Sequence, residues 1–296
     1  MLAVKMQGEG AMANNKWVIA AFILAALVIC VLMLVNYARR AEPVSDERID
    51  WILDSWIAHR GLHDDKTPEN TLAAFNAAIE KGYPIELDVT LTKDKKVIVF
   101  HDKKLKRLFG VDGYVYDMTY EQLAELHFPG TNERIPLFSS VLATVDGQIP
   151  LLIEIKNEGE VGELERLVYE DLKGYKGPYA IQSFNPYSVK WFRINAPNVL
   201  RGQLSGTFIV SDYEVEYAGT TRLPWYKRFI LSNMLMNFES RPNFIAYEIK
   251  NDGYKAFKGL KKLGVPVLGW TVDSKSTYEK VQNACDNFIV DTFDLN

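Results

Sequence analysis

The sequence predicts a (β/α)8 barrel, a TIM barrel, with a small insertion and one transmembrane helix before it. Apolar, β-rich segments alternate with helical patterns from about residue 50 onward. Eight strand candidates occupy roughly 240 residues, which is the size of one such barrel. A doubly wound open sheet has the same local signature and stays as the alternative. The 48% apolar and 24% charged residues are typical of a globular chain.

Each strand candidate is a short run of apolar and β-branched residues. The runs are 56–59, 83–89, 151–155, 179–183, 199–204, 244–249, 265–272 and 287–291. Helical patterns lie between most of them, at 70–81, 160–173, 186–194, 252–263 and 275–284. Several of these helices are followed by a glycine, as expected where a left-handed residue ends a helix. The irregular stretch 102–150 is the insertion.

The first helix of the barrel has clear local signals. Thr67 is expected to cap it, and Pro68 fits its first position. Leu72, Phe75 and Ile79 recur on one helical face, which indicates the side that packs on the strands.

The amino-terminal region contains a candidate membrane span. Residues 17–37 run for about 20 positions without a charge, long enough to cross the ~30 Å hydrocarbon core. A secretory signal usually has a shorter apolar region and a small-residue cleavage site, which this run lacks. We predict an uncleaved, single-pass anchor at 17–37, after a short polar segment at 1–16. A connector at 38–50 then leads to the barrel at 51–296.

Basic residues flanking this span are slightly more numerous on its carboxyl-terminal side. Lys5 and Lys16 precede it, whereas Arg39, Arg40 and Arg48 follow it. Because positive charge favours the cytoplasmic side, we expect a cell-membrane protein with its barrel in the cytoplasm.

The charge of the chain argues against a nucleic-acid partner, and its cysteines argue against disulfides or a cysteine metal site. A net charge of −4 without a dense Lys/Arg block argues against nucleic acid. Cys30 lies in the span and Cys285 near the end of the chain, so the two thiols form neither a disulfide framework nor a metal cage.

The second strand candidate carries a pair of acidic residues. Glu86 and Asp88 are two residues apart and therefore point to the same side of the strand. A divalent cation between them would remove their repulsion, and oxygen ligands suit Ca²⁺ or Mg²⁺. A solvated strand face produces the same pair often.

A polar turn follows this strand so closely that the chain must return as an antiparallel hairpin. With a two-residue or four-residue loop, Lys93 lies opposite Lys96, and the pairing continues until His101 lies opposite Asp88. Opposed residues have Cβ atoms about 5 Å apart. The local sequence thus predicts an imidazole beside the carboxylate pair.

Strands three and one bring further polar groups to the same rim, because the carboxyl ends of barrel strands meet there. Glu154 ends strand three with Lys156 on the same face, and strand one ends in His59 and Arg60. Together they offer two proton-transfer groups, a site for a metal and positive charge for a phosphate. The remaining histidines, His63 and His127, are expected to be structural.

The order and spacing of these motifs resemble the glycerophosphodiester phosphodiesterase family, in its membrane-anchored bacterial form. The motifs are His59-Arg60-Gly61, Pro68-Glu69-Asn70-Thr71, Glu86-Leu87-Asp88-Val89, Thr92-Lys93-Asp94, His101-Asp102, Glu154-Ile155-Lys156, Gln182-Ser183-Phe184 and Gly269-Trp270-Thr271. The end of the last strand, Ile289 to Asp294, departs from the family's Thr-Asp-x-Pro ending.

The resemblance implies a TIM barrel and a role for each matched residue. It implies one divalent cation held by Glu86, Asp88 and Glu154, with His59 and His101 as the general acid/base pair. We assign substrate binding to four further rim residues: Arg60, Lys156, Gln182 and Trp270.

The favoured function is hydrolysis of glycerophosphodiesters to glycerol 3-phosphate and an alcohol. A lysophospholipase D acting on lysolipids is the alternative, and a catalytically silent membrane-binding module is a third reading, less favoured because all five ligands and histidines are present. The nucleophile is either water or the substrate's own hydroxyl. Residues 223–238 are amphipathic and aromatic, and form either a lid helix or a second membrane contact.

Overall fold

The computed structural model describes residues 2–44, 47–157, 159–250 and 257–291. Its strands are β1 (Ile57–Ala58), β2 (Ile85–Leu91), β3 (Val97–Val99), β4 (Leu151–Ile155), β5 (Tyr179–Ser183), β6 (Leu200–Ser205), β7 (Phe244–Glu248), β8 (Val267–Val272) and β9 (Asn287–Val290). All except β3 are parallel, and β1 pairs with both β2 and β9. This pairing closes the barrel, which confirms the predicted fold and excludes the open sheet.

Helices alternate with the strands as predicted. They are α1 (Leu2–Ala38), α2 (Trp51–Asp54), α3 (Leu72–Lys81), α4 (Lys106–Phe109), α5 (Tyr120–Ala124), α6 (Phe138–Val145), α7 (Glu163–Leu172), α8 (Pro186–Asn195), α9 (Trp225–Ser232), α10 (Asn237–Ser240), α11 (Phe257–Leu260) and α12 (Lys275–Val281). Glu214–Ala218 is a π-helical turn. The first part of the helix predicted at 252–263 lies outside the described residues, as does the chain after Asp291.

Helix α3 begins at Leu72, so the predicted cap at Thr67 and Pro68 is wrong. Asn70 has a φ of 58°, in the left-handed region, and a helix cannot run through it. Thr71 is the cap instead, since its hydroxyl accepts a hydrogen bond from the Ala74 N–H at 3.3 Å. The predicted apolar face is correct, because Phe75 is fully buried.

The two faces of β2 show how the barrel separates its core from its site. Leu87 and Val89 point outward and pack with the surrounding helices in the main core. Glu86 and Asp88 point inward. The amino-terminal half of the interior is filled by apolar residues: Leu152, Ala180, Leu200, Phe244, Leu268 and Ile289. Within the described part of the barrel interior, the space for a ligand therefore lies at the carboxyl-terminal rim.

Strand β3 and the chain after it form a small apolar cluster outside the barrel. Its buried members are Ile98, Phe100, Leu105, Val115, Leu123, Phe128 and Ile135. Helix α6, within the predicted insertion, packs in the main core instead through Phe138 and Val141. It therefore serves as the barrel helix between β2 and β4.

Helix α1 contains the predicted span. Trp17–Ala38 is a stretch of 22 residues with a mean hydropathy of 3.3, long and apolar enough to cross a membrane, and none of its most apolar part is buried in the protein. Side chains near its end contact the barrel: the Tyr37 ring stacks on Phe238 with centroids 6.0 Å apart.

Candidate active site

Three buried carboxylates form the centre of the site. Glu86, Asp88 and Glu154 each offer an oxygen, and these oxygens all lie within 4.8 Å of one another. Strand register explains the grouping, because Asp88 pairs with Glu154, which in turn pairs with Gln182. Glu86 lies two residues earlier on the same face of β2. The acidic residues expected to meet at this rim are thus brought together.

Lys156 and Asn70 hold two of these carboxylates. The ammonium of Lys156 lies 2.7 Å from Glu154 Oε1 and 3.1 Å from Asp88 Oδ1. Asn70 Nδ2 donates to Asp88 Oδ2 at 2.8 Å. The left-handed backbone of Asn70 places this amide, so the residue that ends the predicted helix early also supports the site.

Among the described residues, the hydrogen-bond donors to Glu86 are neutral. It accepts from Gln182 Nε2 and from the backbone N–H of Arg60, each at 3.2 Å. The Arg60 guanidinium donates to Glu69 at 2.6 Å, and its Nε lies 3.4 Å from Asp88. Arg60 is therefore fixed at the rim, with its backbone and its side chain both tied to acidic groups.

Burial and mutual repulsion perturb the carboxylates strongly. Burial raises the pKa of Glu86 well above its usual range, and the charges of Asp88 and Glu154 raise it further. Burial likewise raises the pKa of Glu154 to about 7, against the opposing charge of Lys156. Burial would also raise the pKa of Asp88, but neighbouring positive charges, above all Lys156, hold it below its usual range. A cation would stabilise the charged form of all three.

A carboxylate orients His59. Its Nδ1 lies 2.5 Å from Asp291 Oδ1. Although burial opposes it, the hydrogen bond from His59 and the nearby His63 hold the pKa of Asp291 below its usual range, so this carboxylate is ionised and can only accept. The proton therefore sits on Nδ1 of His59, which leaves Nε2 available to a ligand.

His101 has the same kind of partner. Its Nδ1 lies 2.7 Å from Asp102 Oδ1, and Arg107 Nε donates to the other Asp102 oxygen at 2.6 Å. Burial, reinforced by the charges of Arg60 and Lys156, lowers the pKa of His101 to about 4. Burial also lowers the pKa of His59, so both imidazoles are neutral at pH 7.

The predicted hairpin register is wrong by one residue. Val89 pairs with Val99, and the Phe100 N–H donates to the Asp88 carbonyl, so Phe100 rather than His101 is opposite Asp88. The cause is a three-residue loop, 93–95, in which Lys95 has a φ of 62°. His101 instead follows the end of the strand and reaches the site from the loop.

These groups line one cavity of about 1820 Å³ at the carboxyl-terminal rim. Its polar wall comprises His59, Arg60, Glu86, His101, Glu154, Lys156, Gln182 and Asp291. Its apolar wall is built largely by the segment between β6 and β7, with Phe208, Ile209, Leu223, Ile230 and Leu231. Trp270 also lines the cavity, edge-on to Phe184 at 5.5 Å, and its buried indole N–H has no hydrogen-bond partner among the described residues.

Comparison with known proteins decides the family. Residues 59–295 match the model of the glycerophosphoryl diester phosphodiesterase family. The chain belongs to this family. A glycerophosphodiester phosphodiesterase of Caldanaerobacter subterraneus subsp. tengcongensis is 33% identical over 255 residues, which cover 79% of this chain and 93% of the relative. Membership makes the chain an enzyme, a phosphoric diester hydrolase that acts on glycerophosphodiesters.

Two further similarities concern the fold and a related activity. An Oleispira antarctica phosphodiesterase, solved with its product sn-glycerol-3-phosphate, superposes with a TM-score of 0.65 at 24% identity. The superposed part is 81% of this chain and 94% of the Oleispira chain. It supports the fold. A lysophospholipase D of Rattus norvegicus is 38% identical over 137 residues, which span 42% of either chain.

Several residues of this phosphodiesterase site were not predicted. Asp291 and Asp102 orient the two histidines, and Arg107 connects Asp102 to Glu69 with contacts of 2.6 and 2.7 Å. His63 is near the site as well, since its Nε2 lies 3.5 Å from Asp291. His127 is not: it is exposed, away from the rim, and contacts Arg134.

Proposed function

We propose that this enzyme hydrolyses glycerophosphodiesters to glycerol 3-phosphate and an alcohol, with His59 and His101 as its general acid/base pair. The observation that carries the proposal is the pairing of each imidazole with a carboxylate through Nδ1. Each ring thus keeps Nε2 for the substrate, in the cavity that Arg60, Glu86 and Glu154 also line. Asp88 is buried beside these two carboxylates.

Glu86, Asp88 and Glu154 would hold one divalent cation, Ca²⁺ or Mg²⁺. Two features fit such an ion. All three ligands are carboxylates, the donors that hard cations prefer. In addition, the buried Asp88 Oδ1 accepts no hydrogen bond from any described residue, although the Lys156 ammonium lies 3.1 Å away. When bound, the cation would neutralise negative charge on the phosphate.

The side chains at the rim divide the remaining work. Arg60 and Lys156 offer positive charge to the phosphoryl oxygens. One histidine removes a proton from the nucleophile as its oxygen attacks phosphorus, and the other donates a proton to the alkoxide that leaves. The nucleophile is water, or the substrate's own glycerol hydroxyl by way of a cyclic phosphate. Gln182 and Trp270 contact the bound substrate.

Removal of divalent cations is expected to abolish the activity. We expect EDTA to stop glycerol 3-phosphate release from glycerophosphocholine, since the three carboxylates would then repel both one another and the phosphate. Adding Ca²⁺ or Mg²⁺ in excess of the chelator should restore it, and the more effective ion identifies the physiological class. Full turnover in EDTA, with cation-free buffers verified by elemental analysis, would contradict the cation assignment.

Lysophospholipid cleavage is a second candidate, and the apolar wall of the cavity favours it. Small-molecule pockets commonly measure about 300–1,000 Å³, less than this cavity. Glycerophosphocholine has no acyl chain that could contact the apolar side chains between β6 and β7. Lysophosphatidylcholine has one. The rat relative that is 38% identical over 137 residues is named a lysophospholipase D, which supports this candidate.

The two substrates can be compared on one sample. We expect a higher kcat/KM for glycerophosphocholine than for lysophosphatidylcholine if the first proposal holds. An Ile230→Ser variant should leave the first value nearly unchanged and lower the second, because only the acyl chain contacts the apolar wall. The reverse order of the two values would make the enzyme a lysophospholipase D.

The span at residues 17–37 would anchor the enzyme in the cell membrane, with the barrel on the cytoplasmic side. The length and hydropathy of Trp17–Ala38 support the anchor, and the arginines that follow it support the orientation. The barrel would then act on substrates at, or released from, the inner leaflet.

A further inference from the structure

Helix α9 exposes large aromatic side chains that the barrel leaves uncovered. Trp225 is 78% exposed and Phe229 is 57% exposed. They are four residues apart, hence on one face of the helix. None of the residues of α9 is buried. Such a face is unusual on a soluble surface and indicates a contact with something apolar.

The position of α9 fixes where that face points. Ser205 at the end of β6 donates to the Leu231 carbonyl at 2.9 Å, and Tyr247 near the end of β7 donates to the Ser232 carbonyl at 3.1 Å. The helix therefore lies at the active rim. Ile230 lines the cavity, so the face with Trp225 and Phe229 is turned away from it.

The chain that leads from the span is attached to the same sector of the barrel. Glu42 is held at the amino-terminal edge, because its N–H donates to the Pro242 carbonyl and its carbonyl accepts from Asn243. Tyr37 packs against Phe238 of α10, the helix that follows α9 in the chain and precedes β7. The end of the span is thus held against the same β6-to-β7 part of the barrel that carries α9.

Positive charge on α9 and just after the membrane span suits an anionic lipid surface. Arg228 on α9 is exposed, and within the described part of the chain it has no ion-pair partner. Lys227 lines the cavity instead. Arg40 follows the span, and its guanidinium lies 4.8 Å from the Tyr37 ring. Aromatic side chains flanked by basic ones are typical of segments that rest in the membrane interface.

We propose that the face of α9 formed by Trp225 and Phe229 docks in the interface of the phospholipid bilayer and turns the mouth of the barrel toward it. The anchor raises the local concentration of this weak second contact. The inference rests on the membrane anchoring proposed above and specifies how the site meets its substrate.

The test uses the full chain in vesicles of phosphatidylcholine and phosphatidylglycerol. A Cys30→Ala parent keeps only Cys285, which is buried. Trp225→Cys and Phe229→Cys carry an environment-sensitive fluorophore, and Ile194→Cys is the matched control. Ile194 is apolar and 60% exposed, but it lies near the end of α8, toward the amino-terminal edge.

We expect nitroxide-labelled lipids to quench the labels at 225 and 229 and to leave the label at 194 unquenched. Quenching at 225 and 229 no stronger than at 194 would overturn the docking. Labels at 225 and 229 that report an apolar environment, but that nitroxide-labelled lipids do not quench, would likewise overturn it, in favour of a protein partner. Sedimentation with the vesicles tests the anchor separately, and glycerol 3-phosphate release tests the activity. A chain that fails to sediment overturns anchor and docking together.

Discussion

Alanine at Glu86, Asp88 or Glu154 is expected to lower glycerol 3-phosphate release about a thousandfold or more. A bound cation supplies several kcal/mol of transition-state stabilisation, and each 1.36 kcal/mol is a factor of ten. Each of the three carboxylates lies within 4.8 Å of the others, so loss of one removes a ligand that the remaining chain cannot replace at the same place. The measurement is turnover of glycerophosphocholine at saturating Ca²⁺ or Mg²⁺.

The same variants are expected to differ in stability. Glu86 accepts from neutral donors within the described part of the chain, and repulsion raises its pKa, so Glu86→Ala relieves repulsion and leaves the barrel folded. Asp88→Ala is more disruptive, because it removes the partner of Asn70 and a charge beside Lys156. Asp88→Asn keeps the shape and separates the two effects. Thermal melting followed by circular dichroism reports them.

Glu170→Ala is the matched control for these variants. Glu170 pairs with Arg166 on the exposed face of α7, so its removal changes the net charge by the same amount without touching the site. Near-normal turnover of a folded Glu86, Asp88 or Glu154 variant at saturating cation would remove that residue from the ligand set.

Much of the barrel was predictable, because its signals are local. The strands at 151–155 and 179–183 are observed at the predicted residues, since each is a short, largely buried run that begins directly after a proline. Alternation along β2 also predicted that Glu86 and Asp88 share a face. Parallel neighbours in a barrel then bring Glu154 alongside, without any knowledge of the side-chain contacts.

Two errors have the same physical origin. Lys95 and Asn70 both adopt left-handed backbone conformations, which only a minority of residues other than glycine do. The first makes the hairpin loop three residues long and shifts the register of His101. The left-handed Asn70 prevents a helix from starting before it, so Thr71 rather than Thr67 caps α3. Neither position has a glycine to announce the turn.

The carboxylates behind the histidines were missed for a different reason. His59 and Asp291 are 232 positions apart in sequence and meet only because β1 pairs with β9. Asp102 is adjacent to His101, but its role depends on Arg107, which the insertion folds back onto it. The signal for Asp291 was an acidic residue at the end of the last strand, where the family pattern was already altered.

His59→Ala and His101→Ala are each expected to lower the rate by roughly 10²–10⁴, the usual contribution of a general acid or base. Both rings are oriented by a carboxylate through Nδ1, so the chain offers a finer test than alanine alone. Asp291→Asn and Asp102→Asn should each weaken the rate less than loss of the ring itself, because they disturb orientation while the imidazole stays in place.

The pair should also act as a unit. Because one proton is removed and one is donated in a single displacement, the double variant is expected to lose less than the product of the two single losses. His127→Ala is the matched control, since this exposed histidine contacts Arg134 outside the cavity and should keep full activity. His63→Ala, which removes only the more distant contact to Asp291, should cost less than either. If the loss at His63 exceeded that at both His59 and His101, with all variants equally folded, His63 would be the proton-transfer residue and the two-histidine assignment would fail.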